Sequence, residues 1–211
     1  MSSIDTFKSS VMNHGGLARQ NRFNIIFTPP KFSLINKNPT NLLGNLASGS
    51  LSLRNLINDP RDISLLCKST TLPGRQISTL EAVAHKETHK IPYAYTDLDV
   101  TCSFLITQDY YIKTIFDNWA ETIFDTETYT VGYKKDFVTD VRIQQINTKN
   151  IPIYGVVLRN AFPTSLGDIS LDNSAENSIQ EFSVTFAYDK WEQENALEST
   201  IGALRSLKKL I

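Results

Sequence analysis

Two stretches of this chain alternate apolar and polar side chains with a period of two, and that pattern restricts the fold more than any other feature. In one, Leu98, Val100, Cys102, Phe104 and Ile106 fall on one side, and Asp97, Asp99, Thr101 and Ser103 on the other. In the second, Phe182, Val184, Phe186 and Tyr188 oppose Glu181, Ser183 and Thr185. Successive strand residues point to opposite faces, so each stretch predicts an antiparallel strand with one buried and one polar side.

Further strands are predicted at Arg22–Thr28, which Pro29 and Pro30 terminate, at Ile63–Lys68 as a buried strand, at Phe137–Ile146 and at Ile153–Phe162. In the last of these, Tyr154, Val156, Leu158 and Phe162 share a face. Gln76–Leu80 and Ala84–Ile91 give weaker strand signals, and Leu72-Pro73-Gly74 reads as a turn. Between the strands, Ile112, Ile115, Phe116, Trp119 and Ile123 recur at helical spacing, with Thr107 and Asp109 suited to the helix start. A terminal helix over 192–211 carries Glu192, Glu194 and Glu198 early and Arg205, Lys208 and Lys209 late, which complements the helix dipole. Residues 29–62, rich in proline and asparagine but dotted with leucines, read as a long inserted loop, and residues 1–20 as an arm with a short helix. The fold class is therefore mainly β (α+β): an antiparallel sandwich or open barrel flanked by an internal helix and a C-terminal helix. One domain over 1–211 is expected, with the insertion at 29–62 and the extension at 193–211.

Composition narrows the function. A net charge of −1 lacks the basic excess of a dedicated nucleic-acid binder. No apolar run has the length that spans a bilayer, and the polar start MSSIDTFKSS lacks the apolar stretch of a secretion signal. Cys67 and Cys102 read as buried, reduced thiols. His85 and His89 share a strand face, but their context is not the helix that a zinc-protease motif requires, so they read as surface histidines. Asp168, Asp172 and Glu176 lack EF-hand spacing and read as a solvated loop. No nucleophile elbow, phosphate loop or dinucleotide fingerprint is present, so the chain is expected to be no enzyme and to use no catalytic residue, cofactor or metal.

Several motifs then fall in a telling order: Gly16-Leu-Ala-Arg19-Gln-Asn21-Arg-Phe23, Cys67-Lys68-Ser69-Thr70-Thr71-Leu72-Pro73, Trp119 on the internal helix, and Tyr133-Lys134-Lys135. Pro163-Thr164-x-x-Gly167, Ile179-Gln180-x-Phe182-x-Val184-Thr185 and Tyr188-x-x-Trp191-Glu192 follow. In order and spacing over most of the chain, these resemble the tail tube protein family of T-even-type contractile-tailed bacteriophages. Residues 29–62 and 193–211 depart from that pattern. The resemblance implies a structural virion protein, made in the host cytoplasm, whose hexameric rings stack into an inner tube through which the genome is ejected. The implied partners are other copies of the chain, the tail sheath protein, baseplate and tail-terminator proteins, the tape measure protein, and DNA passing through without being read. A baseplate tube initiator, or a tube subunit of a tailocin or secretion-type system, shares the same logic. A β-sandwich module that binds a ligand through the 29–62 loop is a rival from another class, as is a hydrolase built on His85 or His89.

A DNA conduit must not hold phosphate strongly, because Lys and Arg contacts would retain the cargo. One polar strand face is therefore expected to line the channel: either Asp97, Asp99, Thr101 and Ser103, or Glu181, Ser183 and Thr185. The same alternation also fits an ordinary solvent face. Leu42, Leu43, Leu56, Leu204 and Leu207, in the insertion and the extension, are expected to be buried between subunits on assembly, with packing on their own domain as the alternative.

Overall fold

The computed structural model describes residues 3–30, 60–84, 86–174, 176 and 178–194. Helix α1 (Ile4–Asn13) is N-capped by Ser3, whose hydroxyl accepts from the Thr6 amide. It is followed by β1 (Phe23–Ile26), α2 (Pro60–Leu66), β2 (Cys67–Thr70), β3 (Arg75–Ala84), β4 (Glu87–Asp97) and β5 (Val100–Leu105). Then come α3 (Tyr111–Ile123), β6 (Phe124–Asp125), β7 (Thr130–Val131), α4 (Lys134–Phe137) and β8 (Thr139–Ile146). Strands β9 (Pro152–Leu166), β10 (Glu181–Ala187) and β11 (Lys190–Gln193) complete the described part.

Every strand pairing is antiparallel. The main sheet runs β1-β8-β9-β10-β5-β2, with β11 also paired to β9. Its pivot is β9, which changes partners midway: residues 152–161 pair with β8, and 162–166 pair with β10. At the changeover Asn160 adopts φ 53°, a left-handed conformation that asparagine tolerates better than most residues. Its backbone N–H donates to Asp140 Oδ1 at 3.3 Å and its side-chain amide to Asp189 Oδ2 at 2.8 Å. Arg159 beside it reaches Asp140 at 2.6 Å and Glu192 at 3.0 Å, tying β8, β9 and β11 together at the irregularity.

The two halves of the sheet share one core with α3. Ile25, Val141, Ile143, Val156 and Leu158 come from one half, and Val100, Cys102, Phe104, Phe182, Val184 and Phe186 from the other. Ile112, Ile115, Phe116 and Trp119 of α3 are fully buried, as the helical spacing predicts. Phe116 lies within 5.4–6.2 Å of the rings of Phe27, Phe104, Trp119, Phe182 and Phe186. Trp119 Nε1–H donates to the Phe137 carbonyl at 2.7 Å, which satisfies the one polar atom of that side chain.

Three element predictions need correction. Ile63–Leu66 is not strand but the end of α2, and only from Cys67 does the chain extend. Pro60 opens that helix, where its missing N–H costs nothing, and a short apolar run has no periodicity to separate helix from strand. Phe137 closes α4, so β8 starts two residues later than expected. Residues 190–193, placed partly in the terminal helix, form β11: Trp191 lies opposite Leu158 and Glu192 opposite Val157. The rest of the predicted terminal helix and almost all of the inserted loop lie outside the described residues. So do Leu42, Leu43, Leu56, Leu204 and Leu207.

The weak signals at 76–80 and 84–91 belong to one long hairpin, β3–β4, with pairings from Arg75↔Asp97 to Ala84↔Glu87. At about 3.4 Å per residue it extends roughly 30 Å. It pairs with no other strand among the described residues.

Candidate functional site: a hydroxyl-lined sheet face

The two polar faces proposed as alternatives are one surface. β5 and β10 are neighbours, with Thr101 opposite Thr185, Ser103 opposite Ser183 and Leu105 opposite Glu181. Directly opposed residues of antiparallel strands project to the same side of a sheet. The Thr101 and Thr185 hydroxyls lie 3.3 Å apart although 84 residues separate them. The surface continues onto β2, where Ser69 pairs with Ser103, and onto β9, where Ser165 pairs with Thr185. Two rungs of hydroxyls thus cross the sheet: Ser69–Ser103–Ser183, and Thr101–Thr185–Ser165.

Local chemistry explains why these strands adjoin so closely. Gly167 N–H donates to the Ser183 carbonyl at 2.7 Å. A Cβ on Gly167 would fall 2.1 Å from Ser183 Oγ and 3.1 Å from its carbonyl, so any other residue would turn the Ser183 hydroxyl aside and crowd the strand. Pro163 sits at the register shift opposite Thr185 and Phe186, a place where a missing donor is tolerated. The extra residue there, Thr164, donates its hydroxyl to the Thr185 carbonyl at 3.2 Å. Below the face, Val100, Cys102, Phe104, Phe182, Val184 and Phe186 are fully buried, so the aromatic core fixes which side chains point outward.

Two of the charged groups at the face, Lys68 and Asp97, are paired. Lys68 of β2 forms an ion pair with Glu181 of β10, spanning β5. Asp97 is not free beside Thr101. Arg75 grips it through Nε at 2.7 Å and Nη2 at 3.2 Å, and Trp191 Nε1–H donates to it at 3.2 Å. Its side chain is only 11% exposed. Donating to Asp97 raises the pKa of the Arg75 guanidinium above its ordinary value. Asp99 is exposed in the short link between β4 and β5. Tyr188 donates its hydroxyl to the Leu98 carbonyl at 2.6 Å. Burial first, then the nearby Asp97 and Asp99 carboxylates, push its pKa up to about 12.

The contacts of Asp97, Arg75, Trp191 and Tyr188 also anchor the β3–β4 hairpin. The Arg75 guanidinium lies over the rings of Tyr95 and Trp191, at 4.5 and 4.8 Å. Leu98 N–H donates to the Gly74 carbonyl at 3.0 Å. Beyond this base the hairpin presents Ile77, Leu80, Val83, Ile91, Tyr93 and Tyr95, each more than half exposed. Sequence reasoning missed this surface. Its signal was the density of β-branched and aromatic residues, which Pro92 and the absence of a buried side obscured.

The remaining predicted groups lie apart from the face. His89 is exposed on β4 and His85 lies outside the described residues, among which no metal-ligating trio occurs. Asp168, Asp172 and Glu176 are exposed, and Asp172 caps a turn through the Ser174 amide and hydroxyl. Those two bonds hold its carboxyl below the usual range. Cys102 is buried and Cys67 half-buried, both free thiols. A hydrogen bond with Cys102, followed by burial, pushes the Cys67 thiol up and keeps it protonated.

With the fold and this face defined, the chain can be placed among known proteins. The family model described as phage tail tube protein matches residues 18–194, and the chain belongs to that family, one of structural virion components. Solved structures that share its fold include three from contractile particles. The first is from the six-fold symmetrised baseplate of the anti-feeding prophage, with TM-score 0.56 and 11% identity, covering 85% of this chain and 97% of that one. The tube-terminating cap of the same particle gives 0.55 and 16%, covering 85% and 91%. The sheath–tube complex of an extracellular contractile injection system, in its extended state, gives 0.52 and 16%, covering 92% and 99%. No curated protein matches the chain.

Proposed function

We propose that this protein is the ring-forming subunit of the inner tube of a contractile phage tail. Six copies close into a ring, the rings stack, and the tube sits inside a sheath between baseplate and terminator. The hydroxyl face of β2, β5, β10 and β9 lines the channel, through which the tape measure protein and then the genome pass. Family membership supplies the tube role. The observation that carries self-assembly is the β3–β4 hairpin. An arm of two strands gains little stability alone, and this one exposes apolar side chains on both faces, Ile77 with Tyr95 on one and Leu80 with Ile91 on the other, where apolar surface open to water marks an interaction element. A second copy of the chain covers it in a repeating assembly, and neighbouring strands then protect its free edges.

Negative-stain electron microscopy of the purified full chain tests this reading. Hollow six-fold rings or tubes are the expected result, and free polymerisation marks a main tube rather than a templated initiator. Compact monomers at every salt and protein concentration would overturn it. Ile77→Ser with Tyr93→Ser should leave the monomer folded and abolish the polymers.

A further inference from the structure

We infer that Glu181 is a charge mask: it neutralises Lys68 so that the channel wall presents no free cation to a polyanion passing along it. The inference rests on the tube reading above and adds a residue-level mechanism to it. Around Lys68 and Glu181, the outward side chains of the four strands include the hydroxyls of Ser69, Thr101, Ser103, Ser165, Ser183 and Thr185. Hydroxyls make neutral hydrogen bonds to phosphate and displace no counterions, whereas a lysine contact does, and that release makes binding to DNA tight and salt-dependent. One unmasked lysine per subunit, repeated around every ring and along every stack, would turn a smooth wall into a regular array of phosphate sites.

The pair is poorly placed to serve the fold instead. Its side chains are 51% and 44% exposed, and ion pairs so accessible to water contribute little to stability. The backbone ladders and the aromatic core already hold β2, β5 and β10 together. What the pair does alter is the charge of the face: with Glu181 in place the two groups sum to zero, and without it a cation stands among neutral hydroxyls.

The test uses tubes of the full chain assembled with a short duplex DNA, then treated with a non-specific nuclease and sedimented. Wild-type tubes should retain almost no protected duplex, even at low salt. Tubes of Glu181→Gln should retain at least tenfold more at about 20 mM salt and release it by about 200 mM, the dependence expected of counterion release. Lys68→Gln added to Glu181→Gln should return retention to the wild-type level. Glu181→Thr, which suits a strand and extends the hydroxyl surface, must behave as Glu181→Gln does. It provides the same test if the amide variant assembles poorly. Intact hollow polymers that retain no more DNA than wild type would overturn the mask. Retention that the nuclease removes would also overturn it, by placing the pair outside the channel. A wild-type chain that forms no polymer would instead sink the tube reading on which the mask depends.

Discussion

The β5–β10 region and the β3–β4 hairpin are both antiparallel and both rich in β-branched and aromatic residues, yet they are stabilised by different means. Each strand of the first turns one side to an aromatic core and keeps mostly hydroxyls and a paired charge outside. The second holds its form through its own ladder and a few contacts at its base, with apolar side chains on view. The difference teaches that strand propensity makes strands anywhere, but only a buried side gives a strand a fixed place within its own chain. The hairpin's apolar side chains find no cover among the described residues, and in the proposed assembly a second copy supplies it.

The sharpest way to break the comparison is to remove the core side. Trp119→Ala should cost about 3–5 kcal/mol, through the cavity left among Phe27, Phe116 and Phe186 and the loss of the bond to the Phe137 carbonyl. Urea unfolding measures this, and a cost below 1 kcal/mol would mean that the hydroxyl face does not depend on that core.

A smaller effect is expected where α3 meets the β6–β7 turn. A Cβ on Gly132 would meet the Thr122 carbonyl at 2.6 Å, a backbone atom that has little room to move. Gly132→Ala should cost about 1–3 kcal/mol by overpacking, read in the same unfolding experiment.

The hairpin's base is expected to respond more weakly. Tyr188→Phe removes the hydrogen bond to the Leu98 carbonyl, a loss of about 1 kcal/mol. Tyr188 also gives the base a pH dependence. Its pKa is raised from 10 to about 12 in the folded protein, so the folded state holds the proton more tightly. That stabilisation is complete below pH 10 and is lost as pH climbs towards 12. Protection of the Leu98 amide, corrected for base-catalysed intrinsic exchange, should fall over that window in the wild type and show no such fall in Tyr188→Phe.

Least of all should monomer stability change in Ile77→Ser with Tyr93→Ser, by within about 0.5 kcal/mol, because both side chains are already exposed. Analytical ultracentrifugation would then show a folded protein that no longer assembles. A large loss of monomer stability would show that the arm packs on its own chain.

Much of the first region was legible without coordinates. Val100, Cys102, Phe104, Phe182, Val184 and Phe186 point inward as their alternation requires, and the stripe on α3 meets them. The second region was legible only in fragments, since a strand pattern is recognised by its contrast between a wet and a dry side. Cys67 was assigned to the right kind of element, but the helix leading into it was not recognised, because Ile63 is buried and Leu65 exposed in too short a run to show a period.

The amino-acid sequence by itself determined which side chains share a strand or helix face, and with its ordered motifs it pointed to the family. Those properties are local: they follow from the two-residue repeat of a strand and the 3.6-residue repeat of a helix. Only the tertiary structure decided that Thr101 and Thr185 belong to one surface, that Asp97 turns to Arg75 and Trp191, and that Lys68 meets Glu181. Each of these joins residues 22 to 113 positions apart. No periodicity along the chain records which strand becomes the neighbour of which. That choice was made by the packing of one aromatic core around Phe116.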